Sequence, residues 1–326
     1  MDIKSVKEYL GNDWDAVQHK IEDSLKSDID LLDATNNSIL SNSGKQLRPL
    51  LVLLVARACA QDITEATVAY AAAAELLHNA TLLHDDVADN SDQRRGVPTI
   101  MSLMGPSVSV LVGDYWLVKA MELVLGASES DNKVMKIFSK TLSDLAEGEM
   151  LQLQKAQSGD TDENDYLRII YNKTASLFEA ACVSAAISAG VSEDVVKAAR
   201  DYAVALGLAF QIKDDILDYS GTESVGKPLG VDILEQKITL PLLGAMKNVS
   251  EQKQAEVRGM VRDIVGKPEL RDDIVRFVKE NGGLEYARVR LDEYVNEAVH
   301  ALDILPDSRE KECLAELARY TAIRDK

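Results

Sequence analysis

Between Pro106 and Pro228 the chain has no proline at all, and its 326 residues carry only 7 prolines and 18 glycines. Those two residue types punctuate strands and turns, so a chain this short of them has few ways to reverse direction except at the ends of helices. The hydrophobic pattern agrees. From Trp14 to about Leu40, Val17, Ile21, Leu25, Ile29 and Leu32 recur at spacings of three and four, the period of an amphipathic helix. Pro49 suits the first turn of the next helix, where its missing N–H costs nothing. Leu50 to Ala60 is apolar nearly all round apart from Arg57, which places that helix in the core. Further helices are expected from a Thr64 cap to about Asn90, ended by Gly96 and Pro98, then at about Ser107 to Leu125 and Asn132 to Ala156. Two more follow at Asp165 to Ala189 and Glu193 to Tyr219, and four shorter ones complete the chain. With 46% hydrophobic but only 5% aromatic residues, the core is built mainly from Leu, Ile, Val and Ala. No fixed-period repeat or low-complexity linker divides it. The expectation is a single all-α domain over residues 1–326, a helical bundle around a central cavity.

Two long helices in this scheme end in the same pattern, Asp-Asp-x-x-Asp. The first lies in LLHDDVADNSDQRRG, from Leu82, and the second in QIKDDILDYSG, from Gln211. On a helix, residues four apart are stacked one turn above each other, so Asp85 and Asp89 share a face, as do Asp214 and Asp218. Like charges stacked in this way destabilise a helix by about 0.2–0.5 kcal/mol per pair, and neither stripe carries an i+4 Lys or Arg to neutralise them. One such cluster reads as a solvated helix face. Two, each embedded in an apolar helix, call for an external cation. Mg²⁺ fits, because it takes oxygen ligands, commonly one or two carboxylates plus substrate phosphates. The stripes extend backwards as Ala74, His78, Thr81, Asp85 and Asp89 on one helix and Gly207, Gln211, Asp214 and Asp218 on the other, with polar groups at one end and small residues below.

Charge narrows the function further. There are 54 acidic against 36 basic residues, a formal net charge of −18, which disfavours non-specific binding to nucleic acid or to anionic membranes. The few basic groups that stand near the acidic motifs look placed: Lys45 and Arg48, Arg94 and Arg95, Lys173, then Lys227 and Lys237. Acidic clusters with separate cations in an acidic protein point to diphosphate binding, partly through metal and partly through Arg and Lys. Cys59, Cys182 and Cys313 are isolated thiols with no C-x-x-C, as suits buried cysteines in a reducing compartment. The N-terminal segment lacks the apolar stretch of a secretory leader, and no run approaches the roughly 20 apolar residues of a membrane span. A cytoplasmic protein is expected, with peripheral membrane contact only where a long apolar product is released.

The segments SGKQLRP, ELLHNATLLHDDVADNSDQRRGVPT, YNKTASLFEAAC, FQIKDDILDYSG and VGKPLGVDILEQKITLPLL, spanning roughly Leu40 to Leu243, resemble the ordered motifs of the all-trans polyprenyl diphosphate synthases. The resemblance implies the isoprenoid-synthase fold, a homodimer, and head-to-tail condensation of isopentenyl diphosphate with an allylic diphosphate. It implies that Asp85, Asp86 and Asp89 form a first metal-binding motif and Asp214, Asp215 and Asp218 a second, with Asp85, Asp89, Asp214 and Asp218 as ligands. It assigns Lys45, Arg48, His78 and Arg95 to the metal-free diphosphate of isopentenyl diphosphate. Arg94, Lys173, Thr174, Gln211, Lys227 and Lys237 fall on the allylic side. Ser43 and Gln236 depart from the family pattern at positions where glycine is frequent, and neither is a ligand. The other histidines, His19, His84 and His300, are off the stripe and are read as structural or surface groups.

The chemistry implied is electrostatic. Ionising the allylic C–O bond leaves charge on the departing diphosphate, which metal, Lys and Arg stabilise. Product length should then follow the depth of apolar space beneath the aspartates. Ala80 and Thr81 lie about 6–7.5 Å below Asp85, and Ala74 lies about 16 Å below. None is aromatic, whereas short-chain members of the family block this region with Phe or Tyr, so a long-chain product is implied. The same small residues also suit close helix packing, and the floor of the cavity stays open at this point. A class I terpene cyclase would lack the second diphosphate site that Lys45, Arg48 and Arg95 suggest. A non-catalytic regulatory subunit would be expected to lose aspartates, and all six are here.

Overall fold

The computed structural model describes residues 2–60, 62–94, 96–127, 132–220 and 230–324. Two expected site residues, Arg95 and Lys227, lie outside the described residues, as does Gly221 at the end of the second motif. After α1 (Ile3–Leu10), two helices stand where one amphipathic helix is expected from Trp14 to Leu40: α2 (Asn12–Leu25) and α3 (Asp30–Ser41). The apolar period does not stop, but the chain turns extended at Lys26. The Leu25 carbonyl freed there accepts from Asn36 Nδ2 at 2.8 Å, and Asn36 Oδ1 accepts from the Trp116 indole at 2.7 Å. Val17, Ile21 and Leu25 are buried, whereas Ile29, beyond the break, is 59% exposed. A tertiary bond that satisfies the broken turn leaves no trace in hydrophobic periodicity.

α4 (Leu47–Cys59) carries Pro49 in its first turn and is buried without interruption from Pro49 to Ala56. α5 (Glu65–Ala88) starts at a reciprocal cap, Thr64 with Thr67, and ends at Asp89. A two-stranded hairpin follows, β1 (Gln93–Arg94) antiparallel to β2 (Val97–Pro98), then α6 (Ile100–Met104) and α7 (Pro106–Ala127). α8 (Lys133–Ser158) leads to α9 (Glu163–Ile170), which runs through a π-helical turn at Tyr171–Ala175 into α10 (Ser176–Ser188). α11 (Glu193–Ser220) ends in the second aspartate motif. Among the described residues six helices follow where four are expected: α12 (Val231–Leu234), α13 (Leu240–Lys247), α14 (Glu251–Asp263), α15 (Leu270–Glu280), α16 (Gly283–Ala301) and α17 (Arg309–Ile323). The extra breaks are local: Gln236 and Gly282 adopt positive φ, and Ser250 caps α14 with its own side chain. Gln236 thus holds in the left-handed region a place where the family often has glycine, its amide donating to the Arg262 carbonyl at 3.0 Å.

The chain packs as two compact units. The first comprises Met1–Lys140, Ala180–Ala199 and Leu305–Leu314; the second comprises Thr141–Glu179, Arg200–Ile304 and Ala315–Lys326. The first is built on α5 against α7, with α4 and α2 also laid on α5, and its centre is the fully buried run Ala71 to Ala74 with Leu76 and Leu77. The second is built on α13 against α16 and on α11, whose Tyr202, Ala209, Ile212 and Tyr219 are fully buried. No helix among the described residues is long and apolar enough to cross a membrane.

Candidate active site

In the first unit the aspartates sit where α5 runs out. Asp85 is half-buried, Asp86 is 5% exposed, and Asp89 is the exposed C-cap, its N–H still bonded to the Asp85 carbonyl at 2.8 Å. Carboxylates at this end face the negative pole of the helix dipole, so both the dipole and their mutual repulsion disfavour them. The hairpin supplies one cation: Arg94, in β1, donates from Nε to Asp86 Oδ1 at 2.8 Å. Burial still holds the Asp86 carboxyl above its ordinary range despite that guanidinium. Below the aspartates, Ala80 and Ala74 are fully buried, and the Thr81 hydroxyl turns back to donate to the His78 carbonyl at 2.7 Å. His78 is half-buried on the same stripe. Lys45 is exposed in the loop that precedes α4, and Arg48 is half-buried in the first turn of that helix. His84 lies off the stripe beside α7, 3.2 Å from Asp114 Oδ1, and close enough to Gly113 that a Cβ there would fall 2.4 Å from its ring.

In the second unit each aspartate has a different holder. Asp214 Oδ1 accepts from Arg324 Nη2 at 2.7 Å. Asp215, 2% exposed, accepts from the Tyr166 hydroxyl at 2.6 Å and from Gln211 Nε2 at 3.0 Å. Asp218 accepts from the backbone N–H groups of Val231 and Asp232, at 3.0 and 3.2 Å, at the start of α12. Burial pushes the Asp215 carboxyl and the Tyr166 phenol well above their ordinary values. Thr174 donates to Gln211 Oε1 at 3.1 Å, so Thr174, Gln211 and Asp215 form one chain of hydrogen bonds. Lys173 reaches Glu149 at 2.6 Å and Gln152 at 3.0 Å, and Lys237 reaches Asp232 at 3.9 Å and also pairs with Glu235. Lys173, Lys237, Gln211 and Asp215 line a cavity of about 120 Å³ in this unit, together with Tyr166 and Asp232.

Lys173 and Thr174 stand on the π-helical turn, a distortion that recurs at functional sites because it re-aims side chains without breaking the helix. The wider turn fits because two glycines face it. A Cβ on Gly207 would come within 2.5 Å of Ala175 Cα, and one on Gly148 within 2.8 Å of Asn172 Cβ. Gly207 belongs to the stripe read in the sequence as small residues beneath the aspartates; its space is taken by this turn. Several groups at the site gave no warning in the sequence: Tyr166, Gln152, Asp232 and Arg324. Tyr166 lies seven residues, two helical turns, before Lys173 and could have been reached by asking what shares its face, whereas Asp232 lies five before Lys237 on a helix that ends at Leu234, and no such rule links them. Arg324, more than a hundred residues from Asp214, could not.

The donors exposed by the two motifs are carboxylate oxygens, the set preferred by hard divalent cations. Among the described residues no three His, Cys, Asp or Glu side chains converge closely enough to cage an ion by themselves.

The chain matches the family model described as polyprenyl synthetase over residues 29–278. It is 38% identical to octaprenyl diphosphate synthase of Escherichia coli (strain K12), over all of both chains. A decaprenyl diphosphate synthase structure from Rhodobacter capsulatus superposes with a TM-score of 0.90 at 36% identity, covering 100% of each chain. A polyprenyl synthase from Caulobacter crescentus CB15, complexed with calcium and isoprenyl diphosphate, superposes with a TM-score of 0.89 at 34% identity, covering 100% of this chain and 98% of that one. With both aspartate motifs in place and such relatives along its whole length, this chain belongs to the polyprenyl synthetase family and is a prenyltransferase that elongates prenyl diphosphates.

Proposed function

We propose that the enzyme condenses isopentenyl diphosphate head-to-tail with an allylic diphosphate in a Mg²⁺-dependent reaction, with residues 1–326 acting as one catalytic domain and a long-chain all-trans diphosphate as product. The observation that carries the reading is the second unit's cavity, where Lys173, Lys237, Gln211 and Asp215 meet. Two lysines beside a buried carboxylate network make a site for an anion and its counter-ion, not for a neutral ligand. Asp85 and Asp89 would hold metal in the first unit, and Asp214 and Asp218 would do so in the second. Bound Mg²⁺ would neutralise the leaving diphosphate and so favour ionisation of the allylic C–O bond. Arg94 would add fixed positive charge beside the first motif and Lys173 and Lys237 beside the second, with Thr174 and Gln211 as hydrogen-bonding partners and Lys227 assigned to the allylic diphosphate by resemblance. Asp86 and Asp215, both buried, shape the motifs from behind. Lys45, Arg48, His78 and Arg95 bind the diphosphate of isopentenyl diphosphate. Its double bond attacks the allylic cation, the new C–C bond forms, and the proton lost in restoring the alkene passes to the departed diphosphate.

Small buried side chains below the first motif support the long-chain reading. Ala80 and Ala74 are fully buried and neither is aromatic. Replacing Ala80 with Phe should shorten the product, and chain lengths unchanged from the parent enzyme would remove Ala80 from the ruler. We also propose a homodimer. On α7, Leu111, Val118 and Leu125 are 67%, 52% and 59% exposed at seven-residue spacing, a seam of the kind that another helix covers. A cytoplasmic enzyme whose product reaches a membrane surface completes the reading.

The decisive assay supplies the purified protein with Mg²⁺, labelled isopentenyl diphosphate and farnesyl diphosphate, and sizes the products. A ladder ending well beyond geranylgeranyl length is expected. Absence of elongation under every metal condition overturns the reaction. A single product of farnesyl or geranylgeranyl length overturns only the product class.

A further inference from the structure

One arginine that touches the second aspartate motif arrives from more than a hundred residues further along the chain. Arg324 is 6% exposed and follows α17 directly, its backbone N–H bonded to the Tyr320 carbonyl at 3.0 Å. Its guanidinium lies over the Phe210 ring, 4.1 Å from the centroid, and Nη2 donates both to the Phe210 carbonyl at 3.0 Å and to Asp214 Oδ1 at 2.7 Å. Phe210 and Asp214 are one turn apart on α11, so a single nitrogen bridges successive turns of the helix that bears the motif. The arrangement is a poor device for stability. Arg324 Nε is buried without a partner, and a buried cation paired with one half-exposed carboxylate gains little over an apolar residue of the same volume.

We infer that Arg324 is a positioning residue for the second metal motif: by fixing Asp214 Oδ1 and the rotamer behind it, it presents the other carboxylate oxygen to a divalent cation. Ligating carboxylates are commonly held by such outer hydrogen bonds, whose removal typically weakens metal binding by about 10–100-fold. The Phe210 ring and carbonyl fix the guanidinium in turn, so the C-terminal helix sets the geometry of a ligand more than a hundred residues away. The inference rests on the reading of Asp214 as a metal ligand.

The test measures Mn²⁺ binding directly, by electron paramagnetic resonance of the free ion with inorganic pyrophosphate present, in the full-length protein. The variants are Asp214→Asn, Arg324→Gln, Arg324→Lys and Arg324→Met, the last keeping volume over the Phe210 ring should the Gln variant fail to fold. Far-UV circular dichroism and melting curves establish that each is folded. The expected result is Mn²⁺ affinity about 10–100-fold weaker in Arg324→Gln and Arg324→Met, partial recovery in Arg324→Lys, and a matching shift of the Mg²⁺ requirement for turnover with kcat recovered at high metal. Unchanged Mn²⁺ affinity in a folded Arg324→Gln or Arg324→Met protein, alongside weakened binding in Asp214→Asn, overturns the positioning role alone. Tighter binding in those arginine variants also overturns it, because Arg324 would then be a competing counter-ion. Asp214→Asn that binds Mn²⁺ as the parent does overturns the ligand assignment itself, and the inference with it.

Discussion

The two aspartate motifs share a pattern and differ in almost everything around it. The first lies on the last turn of α5 and beyond, with Asp89 already outside the helix and exposed, and Arg94 of the hairpin touching only its middle member in the contacts described above. The second lies within α11, its middle member sealed beneath Tyr166 and Gln211, its first held by Arg324, and its last capping α12. A pair of like motifs thus divides into one that runs out into solvent at Asp89, with only Asp86 buried, and one woven into the packing of its unit. The difference teaches that the five-residue pattern fixes which carboxylates share a face, while the surrounding elements decide whether losing one costs chemistry, stability or both.

The sharpest way to break that comparison is to delete matched carboxylates. Asp89→Ala and Asp214→Ala should each lower kcat by about 10²–10³ or more, the scale on which single electrostatic groups act in a reaction centre. Steady-state assays at saturating substrate check this, and an active Asp89→Ala enzyme would remove the first motif from the chemistry. The next largest effect is on folding. Asp215→Ala strands the Tyr166 hydroxyl and the Gln211 amide without their acceptor and should cost about 2–4 kcal/mol. Asp89→Ala, at an exposed cap, should change stability by no more than about 0.5 kcal/mol. Urea unfolding of the two metal-free variants measures the split; equal losses would mean that the two motifs are embedded alike.

Much of this architecture was legible in the sequence, and the misses share a cause. The Thr64 cap, the first-turn Pro49 and the buried α4 each follow from a local rule, and each is present. Both aspartate faces follow from helical spacing. The break at Lys26, the π-helical turn at Tyr171–Ala175 and the hand of Arg324 on Asp214 do not, because each is decided by a residue distant in the chain: Asn36 with Trp116, Gly148 with Gly207, and α17. Arg94 was recognised as a cation near the diphosphate, but its bond to Asp86 depends on a hairpin of two-residue strands, too short for any alternation to show. Periodicity reports what faces the core; it is silent on which polar group completes another.

The π-helical turn gives a third, smaller test, confined to the second region. Gly207→Ala places a methyl group about 2.5 Å from Ala175 Cα, a backbone atom that cannot swing aside. Overpacking of this kind costs about 1–3 kcal/mol, and here the strain falls on the turn that carries Lys173 and Thr174. The variant should therefore lose stability and raise KM for the allylic substrate together. Gly126→Ala is the control: its Cβ would meet nothing within 4 Å, and on α7 it should be neutral or slightly stabilising. A Gly207→Ala enzyme of parental stability would show that the turn relaxes to an ordinary helix without loss.

The smallest expected effect is a matter of sign. Asp232, missed in the sequence, lies beside Asp218, and burial first, then that neighbouring carboxylate, push its carboxyl from the ordinary 3.8 to about 6. In the metal-free protein the folded state therefore keeps a proton that the unfolded chain gives up. Below pH 4 the group is neutral in both states and carries no penalty. Between pH 4 and 6 the unfolded chain ionises first, so stability falls as pH rises, and above pH 6 the full penalty of a charged Asp232 is present. A shift of this size corresponds to about 3 kcal/mol at full burial, but the side chain is 25% exposed, and solvent reduces the expected effect to about 1–2 kcal/mol. Asp232→Asn should accordingly stabilise the chelator-treated protein at pH 8 by that amount and by about half as much at pH 5, read from urea midpoints. Destabilisation at pH 8 would mean that Lys237, 3.9 Å away, already outweighs Asp218, and that the second region carries no stored repulsion for a metal ion to relieve.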